Sequence, residues 1–211
     1  PTIASIDDVP AISLIKQYMC DSMIKSKEKL KNTVREQWLF CSVDAGGEGI
    51  ARHFAESFGA RLMIAHKQRN YHMANTVESI NILSDSPIAG KEVWIVDDMI
   101  DTGSSIYQLV KELKKRDVYK VHIAAVHPIF SEPAVSRLKE LHDDGYLESL
   151  IVCDTIDVPV SLRKTLPFLH LVSSARRSAE IIQGMHEEKS LSPFFEPFDA
   201  WEYLSSLKLF V

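Results

Sequence analysis

Twice along this chain a short apolar run of β-forming residues stops at a polar, glycine-containing turn, and a helical pattern follows at once. The clearer case is Val93-Trp94-Ile95-Val96, which halts at Asp97-Asp98-Met99-Ile100-Asp101-Thr102-Gly103-Ser104-Ser105. Ile106, Leu109, Val110 and Leu113 then recur at helical spacing before Lys114-Lys115-Arg116. The other is Trp38 to Val43, ending at Asp44-Ala45-Gly46-Gly47, with Ile50, Phe54, Ala55 and Phe58 following and Gly59 closing the helix. A fully apolar strand needs cover on both sides. Alternation of such strands with helices therefore predicts an α/β fold, a mostly parallel sheet flanked by helices on both faces. In that architecture the loops after the strands share one rim, where ligands bind.

Further elements fit the plan. A helix is expected near 11–23. Strands are expected over 61–65, from Thr76 towards Asp85, and over 120–126, 147–153 and 166–172. Helices are expected over 134–142 and 173–186. Lys25, Lys27, Lys29, Lys31 and Arg35 read as a solvated face or loop before a phosphate patch. The tail, 190–211, carries Phe194, Phe195, Phe198, Trp201, Tyr203 and Phe210, and so much aromatic surface is expected to pack on the body or on another chain.

The chemistry of the 97–105 stretch narrows the function. Gly103 allows a tight turn and close approach to a ligand. Amides from Thr102 to Ser105 at a helix start form an anion site, and the Thr102, Ser104 and Ser105 hydroxyls add donors. Asp97 and Asp98 would repel an anion but suit hydroxyl groups or a hard cation such as Mg²⁺. Donors at one end and carboxylates at the other match a sugar phosphate. From the loop alone a plainer reading stays open, with Asp101 or Thr102 as a helix N-cap and Asp97-Asp98 as a solvated turn. Asp44 beside Gly46 and Gly47 can serve a sugar hydroxyl or Mg²⁺-bound water, or merely a turn. Lys67 and Arg69 lie two apart and on extended backbone face one way, which suits a polyphosphate or a solvated surface. His66, His72 and His127 show no metal spacing.

Composition excludes several classes. A net charge of −5 argues against a nucleic-acid or acidic-membrane binder. No apolar run has the length of a membrane span. Cys20, Cys41 and Cys153 are scattered and fit neither a metal site nor a disulfide framework, so a reducing, cytoplasmic setting is expected.

The motif Asp97 to Ser105 resembles the ribose-5-phosphate loop of ribose-phosphate pyrophosphokinases, the PRPP synthetases; type I phosphoribosyltransferases carry related loops. Other segments are similar in the same order: Asp44-Ala45-Gly46-Gly47, Lys67-Gln68-Arg69, the stretch from Asn75 to Lys91, His127-Pro128-Ile129-Phe130-Ser131, Asp154-Thr155-Ile156, and 186–195. Glu48-Gly49 departs from the small and basic residues usual there. The resemblance implies a phosphoribosyltransferase-like domain over 1–195, corresponding to the C-terminal half of the enzyme, with 196–211 as an extension of unknown role.

It further implies transfer of the diphosphoryl group of ATP to the C1 hydroxyl of ribose 5-phosphate, giving PRPP and AMP. Asp101 to Ser105 would hold the 5-phosphate, and Asp97 and Asp98 the ribose hydroxyls, directly or through Mg²⁺, with Asp44 nearby. Lys67 and Arg69 would neutralise the transferred phosphates. Ser190 and Ser192 fall where regulatory phosphate or ADP contacts lie. A homo-oligomer is expected, and the chain alone is expected to bind sugar phosphate with little turnover. Two other readings are a phosphoribosyltransferase that consumes PRPP and a non-catalytic synthetase-associated subunit.

Overall fold

The apolar runs become neighbouring strands: β1 (Trp38–Ser42), β2 (Arg61–Gln68), β3 (Ser79–Ser84), β4 (Glu92–Ile100), β5 (Lys120–Pro128), β6 (Ser149–Cys153) and β7 (Leu169–Val172). They form one sheet in the order β3-β2-β1-β4-β5-β6-β7. The structure, a computed structural model, describes residues 9–68 and 79–207, with the side chains of Lys67, Gln68 and Ser79 outside that description. Every pairing is parallel except β2 with the edge strand β3.

The helices are α1 (Ile12–Tyr18), α2 (Lys27–Lys29), α3 (Arg35–Gln37), α4 (Glu48–Phe58), α5 (Ser104–Lys114), α6 (Ala134–Asp143), α7 (Val160–Thr165), α8 (Ala175–His186) and α9 (Ala200–Ser206). Wider helical turns, Met19–Ile24 and Leu30–Val34, continue α1 and join α2 to α3.

Side-chain alternation along each strand divides the core into two layers. On one face Leu39, Cys41, Val93, Ile95, Val121 and Ile123 pack with Ile106, Leu109 and Leu113 of α5 and Leu138 and Leu141 of α6. On the other, Trp38, Phe40, Trp94 and Val96 pack with Ile15 of α1 and with Ala51, Phe54 and Phe58 of α4. In α4 the buried positions fall three or four residues apart, and Gly59 closes the helix at φ 60°, the left-handed conformation that glycine adopts without strain. Burying each of the Phe54 and Phe58 rings contributes roughly 1.5–3 kcal/mol.

Several boundaries differ from the sequence reading. β4 runs to Ile100, so Asp97 and Asp98 are strand residues; the cause is β5, which extends to Pro128 and keeps pairing, with Met99 opposite His127. β2 likewise runs to Gln68 because β3 pairs with it, Lys67 lying opposite Ile80. The basic stretch is helical from Lys27 to Arg35 and buries Leu30 and Val34, while Lys27 Nζ stands 4.7 Å from the centre of the Trp201 ring. The expected packing of the tail holds in part among the described residues: Ala200 and Leu204 are buried, Phe198 and Tyr203 pack on the core, and the Tyr203 hydroxyl donates to Asp21 at 2.9 Å, whereas Phe195 and Trp201 stay exposed and Phe210 lies outside the described residues.

Candidate sugar-phosphate site

The sheet order dictates where a crevice opens. From β1 the chain moves outward to β2 and β3, then returns to place β4 on the other side of β1. The loops after β1 and β4 therefore leave in opposite directions, and a gap forms at the carboxyl ends of these strands. A cavity of about 270 Å³ lies there, lined by Val43, Asp44 and every residue from Asp97 to Ile106.

After β1 the turn is tied locally. Ser42 Oγ donates to the Asp44 carbonyl at 2.6 Å, and the Gly47 N–H donates to Asp44 Oδ1 at 3.1 Å. The glycines are needed for close approach. A Cβ at Gly46 would stand 3.2 Å from Asp44 Oδ1; one at Gly47 would stand 3.1 Å from Ser42 Cβ and 3.7 Å from Asp97 Oδ1. Asp44 and Asp97 thus approach each other across a backbone without side chains.

Asp97 is half-buried, and its Oδ1 accepts from the Asp98 N–H at 2.9 Å. Burial pushes the Asp97 carboxyl up to about 7, and the neighbouring Asp98 and Asp44 charges push the same way. A carboxylate so placed gains from any cation or hydroxyl donor that enters.

The donor end follows one turn later. Gly103, at φ 67°, precedes α5, and a Cβ there would lie 3.7 Å from the Ala134 Cα. The first helical bond is from the Tyr107 N–H to the Gly103 carbonyl, 2.9 Å. The amides of Ser104, Ser105 and Ile106 come before it and have no intrahelical acceptor. No side chain caps this helix, so Asp101 and Thr102 are not its N-cap, and the plainer reading of this loop fails. Among the described residues the Thr102, Ser104 and Ser105 hydroxyls have no protein partner either. Amides and hydroxyls converge on the helix start, where an anion is favoured.

Other singled-out residues fall elsewhere. Lys67 lies near the end of β2 rather than in a loop. Arg69 and His72 lie outside the described residues. His127 pairs with the Thr155 hydroxyl at 2.9 Å. Ser190 Oγ donates to Ser192 Oγ at 3.0 Å on the segment after α8, and neither lines the cavity. Sequence reasoning missed Val43 and Ile106 as cavity walls and Arg137 as a partner of the loop; Arg137 Nη1 donates to the Thr102 carbonyl at 2.9 Å. Among the described residues no group of three or more His, Cys, Asp or Glu side chains could hold a metal ion. The donor set at this rim is a carboxylate pair, which suits an ion that keeps water and substrate oxygens as its other ligands. No described helix is long and apolar enough to cross a membrane.

A switch-point crevice with an anion nest beside carboxylates defines a class of protein that agrees with the comparisons. The chain belongs to the phosphoribosyl transferase domain family, whose profile matches residues 20–170. Within that class it is similar to ribose-phosphate pyrophosphokinases. That of Nostoc sp. is 39% identical over 155 residues, 73% of this chain and 44% of that protein. That of Chlorobaculum tepidum is 32% identical over 196 residues, 93% of this chain and 56% of that protein. The crystal structure of phosphoribosylpyrophosphate synthetase from Mycobacterium smegmatis superposes with a TM-score of 0.68 at 27% identity, covering 84% of this chain and 51% of that one. The chain spans about half the length of the curated relatives it matches.

Proposed function

We propose that this chain is the ribose-5-phosphate-binding half of a ribose-phosphate pyrophosphokinase, the enzyme that moves the diphosphoryl group of ATP to the C1 hydroxyl of ribose 5-phosphate and yields PRPP and AMP. One observation carries the reading. A single cavity at the switch point joins free amide and hydroxyl donors, from Thr102 to Ser105, to two carboxylates, half-buried Asp97 and exposed Asp44.

The parts divide the ligand between them. The Asp101–Ser105 loop receives the 5-phosphate, and holding it fixes the sugar for reaction, a contribution of proximity. Asp97 and Asp98 take the ribose 2- and 3-hydroxyls. Mg²⁺, held by Asp97 with Asp44 or Asp98, would supply charge neutralisation for the phosphate oxygens. Lys67 and Arg69 add cations for the transferred phosphates, where electrostatics and positioning dominate catalysis. On this reading the chain alone binds the sugar phosphate with little turnover, and PRPP synthesis needs the remaining half of the relatives' length and assembly into an oligomer.

The test is calorimetric titration of the chain, in the presence of Mg²⁺, with ribose 5-phosphate and with ribose. Saturable binding of the phosphorylated sugar alone is expected. Equal heats for the two sugars, or none for either, would remove the reading.

A further inference from the structure

Arg137 stands behind the phosphate loop rather than in it. The residue is half-buried, is absent from the cavity wall, and reaches across 35 residues of sequence to the Thr102 carbonyl. The peptide it grips is the one that joins Thr102 to Gly103. That peptide is trans, so its C=O and N–H point in opposite directions. A carbonyl fastened on the α6 side therefore turns the Gly103 N–H the other way, towards the cavity that Thr102 and Gly103 line.

The platform that presents the guanidinium is itself fixed. Ala134, at the start of α6, lies against Gly103. One turn beyond Arg137, Glu140 accepts from Lys111 Nζ of α5 at 2.9 Å and from the Tyr107 hydroxyl. The loop is thus held between two helices tied to each other on either side of the Arg137 contact. A carbonyl that accepts from a cation is polarised, and the N–H of the same peptide becomes a better donor.

We propose that Arg137 is a positioning residue of the phosphate loop, setting the direction and polarity of the Gly103 N–H without touching the ligand. The proposal rests on the ribose-5-phosphate reading of the cavity. Two variants separate donor from packing: Arg137→Met keeps the aliphatic stem and removes the donor, while Arg137→Lys keeps one donor.

The experiment titrates ribose 5-phosphate into wild type and both variants by calorimetry and follows the Gly103 amide in ¹⁵N–¹H spectra. Wild type binds, and its Gly103 amide shifts as the site fills. Arg137→Met binds ~10-fold or more weakly, as expected for loss of a charged hydrogen bond, and its Gly103 amide is displaced before ligand is added. Arg137→Lys returns to within ~3-fold of wild type. If wild type does not bind, the ribose-5-phosphate reading fails and this proposal falls with it. If wild type binds and Arg137→Met binds equally well, or the two variants are equally impaired, the proposal alone is overturned. Should Arg137→Met not fold, the wild-type Gly103 amide decides, because an amide unmoved at saturation overturns the proposal.

Discussion

Strand β4 carries Glu92 at its start and Asp97 towards its end, and these two carboxylates have opposite fates. At the start, Glu92 Oε2 accepts from the Trp38 indole at 2.8 Å and stands 3.7 Å from His122 Nε2, a through-space contact longer than a hydrogen bond. His122 in turn bonds the Ser149 hydroxyl at 2.8 Å and stacks on Trp94. The His122 imidazole is the largest influence, with Trp38 and Lys120 adding, and together they hold the Glu92 carboxyl below the usual range. At the other end, burial pushes Asp97 up to about 7, and the neighbouring Asp98 and Asp44 carboxylates add to it. The same sheet supports both. At the amino end the carboxylate meets donors from neighbouring strands, and at the carboxyl end it meets other carboxylates.

The largest expected effect is at the Glu92 end. Glu92→Ala leaves the Trp38 N–H without its acceptor and removes the carboxylate that faces His122 Nε2. We expect a loss of ~2 kcal/mol in denaturant unfolding at pH 7, with ribose 5-phosphate binding unchanged. A carboxyl held low contributes stability above its unfolded value of 4.5, and that contribution is lost as pH falls through the folded value. The wild-type advantage over the alanine variant should therefore shrink in acid. An equal cost at pH 3 and pH 7 would show that packing, not charge, matters here.

Asp97→Asn probes the other end and should have the opposite sign. A carboxyl raised from 3.8 to about 7 binds more protons folded than unfolded between those values. Its ionisation erodes stability as pH rises across that window, and the penalty is complete above about 7. Replacing it should leave stability unchanged near pH 4 and raise it by roughly 1–2 kcal/mol at pH 8, after allowance for the half-exposed side chain. Sugar-phosphate binding should weaken in the same variant. A stabilised protein that still binds normally would detach Asp97 from the ligand.

How much of this contrast the sequence disclosed follows from local physics. Strands buried on both faces are almost wholly apolar, so Trp38–Cys41 and Val93–Val96 announced themselves. The Asp-Thr-Gly-Ser-Ser turn did too, because few other turns gather so many donors. Strand ends were less legible: Asp97, Asp98 and Lys67 continue their strands only because β5 and β3 extend to pair with them. Arg137 was illegible. Nothing local to Ser136-Arg137-Leu138 tells that one guanidinium meets a carbonyl 35 residues earlier. Glu92 reads as an ordinary polar strand start until Trp38 and His122 are placed beside it.

Gly103→Ala acts on the open end through the backbone. At φ 67° an L-residue carries a strain of ~1 kcal/mol, and the new methyl meets Ala134. Unfolding should move by about that much, and ribose 5-phosphate affinity should fall with it, because the loop can relieve the strain only by turning its amides. Unchanged affinity in a destabilised variant would show that the amides do not hold the phosphate.

The smallest effects separate two sets of hydroxyls that a sequence cannot rank. Ser105 borders the cavity with a hydroxyl that has no described protein partner, whereas Ser192 receives the Ser190 hydroxyl on an exposed segment. Ser105→Ala should leave stability within ~0.5 kcal/mol and weaken ribose 5-phosphate binding several-fold, ~1 kcal/mol for one lost hydrogen bond to a charged oxygen. Ser192→Ala should change stability as little and leave that binding within experimental error. The pair is informative because neither substitution disturbs packing. Any difference in affinity between them comes from where the hydroxyl points, and equal affinities would remove Ser105 from the site while leaving the amides to carry the phosphate alone.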